Sequence, residues 1–245
     1  MLAPGSPRCS QMRLLVLFWK AFSYTAGTAV AGLAIFQFWF LAQVLYWVDH
    51  NPMTTSVMEA RLEALRQKDS QATLAQEWVP YGRISSNLKR AVIAAEDARF
   101  TEHDGFDWEG IQRALEKNQR RGKVVAGGST ITQQLAKNLF LSGERSLLRK
   151  AEEAVLALML EATMSKRRIF EIYLNVAEWG ENVFGAEAAA RHYFGVSAAA
   201  LEPEQAAHLA AMLPRPRYYD RNRESPYLIG YSENILAQMY AAQIP

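Results

Sequence analysis

Residues 96–107 read EDARFTEHDGFD, from Glu96 to Asp107, and set five carboxylates around His103 with Phe100 and Phe106 between them. Unpaired buried charge is costly, so such a stretch makes a poor core segment. Yet the run before it, Ala91-Val92-Ile93-Ala94-Ala95, is apolar and carries it into a packed region. Titratable groups delivered to the edge of a core by a short helix suit acid–base chemistry. A solvated loop after a helix fits the same residues, and nothing inside the stretch separates the two.

Working outward, Ser86 is expected to cap a helix through Leu88, Ala91, Val92 and Ala95, with Glu96 at or near its C-terminal end. The helix dipole is negative there, which predicts a raised pKa for Glu96. Trp108 to about Arg120 reads as a second helix, with Ile111 and Leu115 facing inward. Gln119 to Gly128 is basic and glycine-bearing, and is expected to be a mobile loop. Thr130-Ile131-Thr132-Gln133 then has the form of a capping box, followed by Ile131, Leu135, Leu139 and Phe140 at helical spacing.

Further on, Ser146 is expected to cap a helix whose apolar stripe is Leu147, Ala151, Ala154, Val155, Leu158 and Ala162. Lys166 to Trp179 reads as another helix, ended by Gly180. An alanine-rich helix stops at Gly195, Pro203 suits a first turn, and Pro214 ends the run through Leu213. On the other side, Val57 to about Leu74 reads as a polar helix carrying Leu62 and Leu65. No stretch keeps period-two alternation, so the expected domain is helical.

One segment has a different solvent. Ala21 to Val48 holds no charged residue and is rich in Phe, Trp, Leu, Val and Ala. A spanning helix needs about 20 apolar residues, and a cleaved signal would carry an apolar region of only about 7–15. The run therefore reads as an uncleaved anchor. Arg8, Arg13 and Lys20 precede it, whereas Asp49 and Glu59 follow, which predicts a cytoplasmic N-terminus and an extracytoplasmic remainder. The expected division is residues 1–20 as tail, 21–48 as transmembrane helix, 49–80 as juxtamembrane linker and 81–245 as the functional domain. The net charge is +2 and half the residues are hydrophobic, so neither disorder nor a nucleic-acid-binding surface is indicated. Cys9 is the single cysteine, and no Cys/His cluster has zinc-ligand spacing.

Two further places are candidates for chemistry. Gly127-Gly128-Ser129-Thr130 opens a helix with small residues, whose N–H groups and dipole suit an anion, with Lys137 and Arg145 adding charge and Ser129, Gln133 and Gln134 polar contacts. An ordinary capped helix fits as well, and the Gly-Lys-Ser/Thr ending of a P-loop is missing. Arg145, Arg149 and Glu153 share one helical face, either as a routine surface pair or as cations steadying an anionic leaving group. His192 and His208 sit among apolar helical residues and read as packing or surface histidines.

Taken in order, these motifs resemble the family 51 glycosyltransferases that polymerise peptidoglycan, monofunctional members in particular. Glu96-Asp97-x-x-Phe100-x-x-His103-x-Gly105-x-Asp107 is similar to the family's first motif, Gly127 to Asn138 to the second, Arg149-Lys150-x-x-Glu153 to the third, and Lys166-x-x-Ile169-x-Glu171-x-Tyr173-Leu174-Asn175 to the fourth. The last motif departs: Gly230 to Tyr240 lacks the usual basic residues. The resemblance implies a mainly α, lysozyme-like, two-lobed helical domain with a membrane-facing jaw, tethered by one transmembrane helix in the bacterial inner membrane. It implies lipid II and a growing glycan strand as substrates, joined by inverting β-1,4 transfer with release of undecaprenyl diphosphate. Glu96 would be the general base and Glu153 the second functional carboxylate. Asp97, Phe100, Ser129, Thr132, Gln133, Gln134, Lys137, Arg145 and Arg149 would bind substrate. No bound cofactor or metal cage is expected, with Mg²⁺ or Mn²⁺ as an activator, and other cell-wall synthesis or division proteins are candidate partners. A glycan-cleaving enzyme of lysozyme-like fold and a non-catalytic envelope scaffold remain as rival readings.

Overall fold

The computed structural model describes residues 7–123, 127–141, 143 and 146–245, with side chains from residue 15 onward. The chain divides into two compact units, residues 1–46 and 47–245. The first is carried by helix α1 (Pro7–Asp49). Within it, Leu15–Asp49 is long and apolar enough to cross a membrane. Phe18, Trp19, Ile35 and Phe38 all lie exposed along it, as expected of a helix whose apolar surface is meant for lipid rather than for a protein core.

The second unit is helical. Helix α2 (Ser56–Arg66) begins at Thr55, whose Oγ1 accepts from the Met58 N–H. It ends well short of the expected Leu74, because Asp69 folds the chain into a turn by accepting from the Gln71 N–H at 3.0 Å. Strand β1 (Ala75–Gln76) follows. After a 3-10 turn at Tyr81–Arg83 comes α3 (Ser86–Glu96), capped by Ser85 rather than the expected Ser86. Ser85 Oγ accepts from Asn87 N–H at 3.1 Å.

Helix α4 (Trp108–Arg121) takes up the first residues of the expected loop and stops at Gly122, which adopts a φ of 62°. Ala114 is its buried residue, whereas Leu115 faces solvent, against expectation. Residues 124–126 of the expected loop lie outside the described residues. Helix α5 (Ile131–Phe140) has the predicted capping box: Thr130 and Gln133 exchange bonds of 3.0 and 3.2 Å.

Helix α6 (Leu147–Thr163) is capped by Ser146, as expected, but turns its predicted apolar stripe outward. Leu147, Val155 and Leu158 are exposed, while Glu153, Leu156, Ala157 and Leu160 are buried. Helix α7 (Lys166–Val176) ends three residues before the expected Trp179. Trp179 and Gly180 lie instead in strand β2 (Glu178–Gly180), antiparallel to β3 (Val183–Phe184), which also pairs with β1 in parallel. Strands of two or three residues are too short to show alternation in sequence. Helix α8 (Ala186–Phe194) stops at Gly195 and α9 (Pro203–Met212) starts on its proline, both as expected. Helices α10 (Pro216–Arg221) and α11 (Pro226–Gln238) complete the chain's regular helices.

Two helical groups make the core of this unit. α3, α9 and α11 pack on one another, and α5 packs against α2, α6 and α7. Leu88, Ile93, Leu135, Leu156, Leu160, Ile169 and Phe170 are fully buried among them, each contributing about 1.5–3 kcal/mol by leaving water. The end of α3 and the middle of α5 meet where the groups adjoin, and Glu96 stands at that seam.

Candidate active site

Glu96 closes α3, and its Oε2 accepts a 2.6 Å hydrogen bond from Gln134 Nε2 on α5. Gln134 Oε1 in turn accepts from the buried Tyr173 hydroxyl on α7 at 3.0 Å. The other oxygen, Oε1, is sealed from solvent with no hydrogen-bond partner among the described residues. Burial pushes the Glu96 carboxyl above its usual range, the Gln134 bond and the Lys137 charge pull it back, and Asp97 pushes it further up. The direction predicted from the helix dipole holds, but the leading cause is desolvation. Burial, with the Glu96 and Asp97 charges, also drives Tyr173 well above a normal phenol, so Tyr173 stays a donor.

Asp97 does a different job. Its Oδ1 bonds His103 Nε2 at 2.9 Å, and its Oδ2 accepts from the Ile131 N–H at 3.0 Å. A buried carboxylate thus satisfies a free N–H at the start of α5, where the dipole favours negative charge. Thr130 adds a 2.7 Å bond to the Gly105 carbonyl. Gly105 has a φ of 88°, and a Cβ there would lie 3.2 Å from the Glu161 side chain. The motif after Glu96 is therefore folded onto the start of α5, which fixes Glu96 opposite Gln134.

Three adjoining cavities meet here. One of about 760 Å³ is walled by Glu96, Ser129, Gln134, Tyr227 and Tyr231. A second of about 370 Å³ shares Gln134 and is walled by Arg61, Lys137, Arg149, Tyr173 and Glu178. A third of about 240 Å³ shares Glu96 and Ser129 and reaches Asp97 and Gly127 to Thr130. The second is cationic: Arg149 Nε is buried with no hydrogen-bond partner among the described residues, beside Lys137 on the same wall. Such a donor set suits a phosphate or diphosphate. Glu153 is buried on the inner face of α6, paired with Lys150 rather than Arg149, and Lys150 also reaches Ser129 Oγ at 3.3 Å.

The structure thus brings Glu96, Asp97, Ser129, Gln134, Lys137 and Arg149 to the cavity walls. Phe100, Thr132 and Gln133 have another place: all three are buried and bonded or packed internally. Phe100 packs on Phe170 at 5.5 Å, Thr132 donates to Glu161, and Gln133 completes the helix cap. Arg145 lies outside the described residues. Arg61 and Tyr231 join the cavity walls without having been singled out by the sequence, and Lys150, quoted only as part of the third motif, joins through Glu153 and Ser129. Only the i,i+3 spacing of Lys150 and Glu153 offers a local signal. Tyr231 comes from the divergent C-terminal segment, yet its hydroxyl donates to the Ala95 carbonyl at 3.2 Å, next to Glu96. His192 is partly exposed and 3.5 Å from Asp220, while burial lowers the pKa of His208.

The profile of the transglycosylase family matches residues 62–240, the divergent segment included. A biosynthetic peptidoglycan transglycosylase of Dechloromonas aromatica is 62% identical over 211 residues, 86% of this chain and 91% of that one. Proteins of the same description from Methylobacillus flagellatus and Nitrosospira multiformis are 58% and 55% identical, over 94% and 93% of this chain and 98% and 97% of theirs. With its lysozyme-like helical fold and these similarities along most of its length, the chain belongs to the transglycosylase family.

Proposed function

We propose that this protein is an inverting glycosyltransferase that polymerises lipid II into β-1,4-linked peptidoglycan strands. The observation that carries the mechanism is the buried, unpartnered Glu96 Oε1, on a residue that walls the large cavity, which shares Gln134 with the cationic one. Glu96 takes the proton of the acceptor's 4-hydroxyl as that oxygen bonds to the donor's anomeric carbon. The bond from that carbon to the diphosphate breaks with its electron pair, and undecaprenyl diphosphate leaves. Lys137 and Arg149 receive the charge that develops on it, and preorganised cations of this kind need no reorganisation in the transition state. Glu153 holds Lys150 beside Ser129 and so fixes the adjoining wall. Asp97 holds α5, and with it Gln134, in register with the base.

Among the described residues no group of three His, Cys, Asp or Glu side chains is placed to hold a metal ion. Activation by Mg²⁺ or Mn²⁺ is proposed to act with the substrate's diphosphate, outside the steps above. The chain is proposed to sit in the inner membrane with its N-terminus cytoplasmic, supported by Lys20 before the apolar run and Asp49 and Glu59 after it. The outward apolar face of α6 is proposed to dip into the same membrane, which puts the site at the level of a lipid-held substrate.

A raised glutamate pKa also suits the acid of a glycan-cleaving enzyme. Incubating the full chain in detergent with labelled lipid II separates the readings. Polymer is expected from wild type and its rate should fall by about 10²–10⁴-fold in Glu96→Gln, the usual worth of a general base. Shortening of preformed glycan, with no polymer from folded wild type, would overturn the synthetic reading.

A further inference from the structure

Four of the chain's ten tyrosines fall between Tyr218 and Tyr231, the last of them inside the divergent Gly230 to Tyr240 segment. Tyr218 and Tyr219 lie on α10, and Tyr227 and Tyr231 lie one turn apart on α11. The Tyr219 and Tyr227 rings are within 6° of parallel with centroids 6.5 Å apart, and Tyr231 follows Tyr227 at 6.1 Å. With Pro214 and Arg215 they wall a cavity of about 300 Å³. The Arg215 guanidinium lies 4.4 Å over the Tyr218 ring and so stiffens one side of it.

This cavity shares Pro214, Tyr227 and Tyr231 with the cavity that holds Glu96. Tyr227 leaves 68% of its surface exposed at that shared wall. Burial pushes the Tyr231 hydroxyl up to about 12, and Glu96 and Tyr227 add to the rise, so its phenol is neutral under any ordinary condition. Burial also raises Tyr219. The surface therefore offers the exposed Tyr227 ring, backed by the buried Tyr219 ring and flanked by the neutral phenol of Tyr231. A pyranose ring has the complementary form, with an apolar C–H face and hydroxyl groups at its rim. The face runs directly out of the Glu96 cavity on the α11 side, so a glycan seated in that cavity extends over it.

We propose that the exposed Tyr227 face, backed by Tyr219 and Tyr231, is a saccharide subsite, holding an N-acetylhexosamine ring of the glycan substrate beyond the reacting bond. The identity of the ligand rests on the glycosyltransferase reading above. The ring comes from the growing strand or from the lipid-linked acceptor, and the same surface chemistry recognises both.

The test uses the full chain in detergent micelles and a soluble probe, the β-1,4-linked tetramer of N-acetylglucosamine, observed by saturation-transfer NMR. Wild type should bind the tetramer. Tyr227→Ala should weaken binding about 5–10-fold, as loss of one aromatic contact does, and Tyr227→Trp should retain it. With lipid II, Tyr227→Ala should raise KM by a similar factor and leave kcat within about twofold, since uniform binding is what is lost. Adding preformed lipid-linked strand tells the sources apart, by whether the KM change follows the strand or the monomer; either supports the subsite. Equal tetramer binding by wild type and Tyr227→Ala, or none by wild type, overturns it. Tyr227-dependent binding without any polymer from lipid II would leave the subsite standing and remove the polymerase reading.

Discussion

Glu96 meets two demands that oppose each other. A base must be ionised to accept a proton, yet burial disfavours the ionised form and raises its pKa. Gln134 and Lys137 resolve this in part by stabilising the carboxylate. Activity should therefore rise as pH climbs through a pKa above that of an ordinary glutamate. Gln134→Ala and Lys137→Met each remove an influence that lowers it, so each should move the acid limb of the kcat/KM profile to higher pH. A limb that stays put in both variants would show that some other group titrates. Linkage gives a second readout. The native chain keeps the Glu96 proton to higher pH than the unfolded chain, so stability falls as pH rises from the ordinary glutamate range through the raised value. Above that value the cost of holding the carboxylate ionised in a buried site is fully present. Glu96→Gln removes the titration, and its Tm at neutral pH should equal or exceed that of wild type even as turnover is lost. A clear drop in Tm would mean that Glu96 is structural first.

At the scale of elements, Asp97 is the small part with the largest reach. It joins the loop after α3, through His103, to the Ile131 N–H at the start of α5. Asp97→Ala strands a buried N–H and should cost about 1–3 kcal/mol in denaturant unfolding, with a matching loss of activity. If stability is unchanged and activity alone falls, Asp97 acts on substrate instead. The junction is legible in the residues themselves: the apolar run into Glu96, the Thr130–Gln133 capping box and the Ser146 cap all stand where local chemistry puts them. Helix α6 defeats the same reading for a physical reason. Its Leu147, Val155 and Leu158 side is the more apolar, so periodicity points that side inward. The inward side must carry Glu153 and Glu161, which bond Lys150 and Lys166, and is therefore the more polar. Periodicity reports which face leaves water, and lipid satisfies it as well as a protein core does. Tyr231 escapes the sequence because its partner, Ala95, is 136 residues away and no local pattern records the pairing.

For the whole molecule, the same inversion on α6 gives a test of how a membrane-held substrate is met. Leu147 and Leu148 are 91% and 85% exposed, and Leu158 is 53% exposed on the same helix. Three leucines left in water would each forgo a stabilisation of about 1.5–3 kcal/mol, so the arrangement makes sense if lipid receives them. Replacing Leu148 and Leu158 by Glu in the full chain should then leave the fold intact, since neither side chain is part of the core. In vesicles, where substrate stays in the bilayer, kcat/KM on lipid II should fall by about tenfold or more, because two charged groups resist entry to the interface. In detergent micelles with the same lipid II the loss should be within about twofold, since the micelle reshapes around the enzyme. Equal losses in both media would place the defect inside the catalytic cleft and leave the α6 face without a membrane role. Equal activity in both would show that helix α1 alone is enough to bring this domain to its substrate.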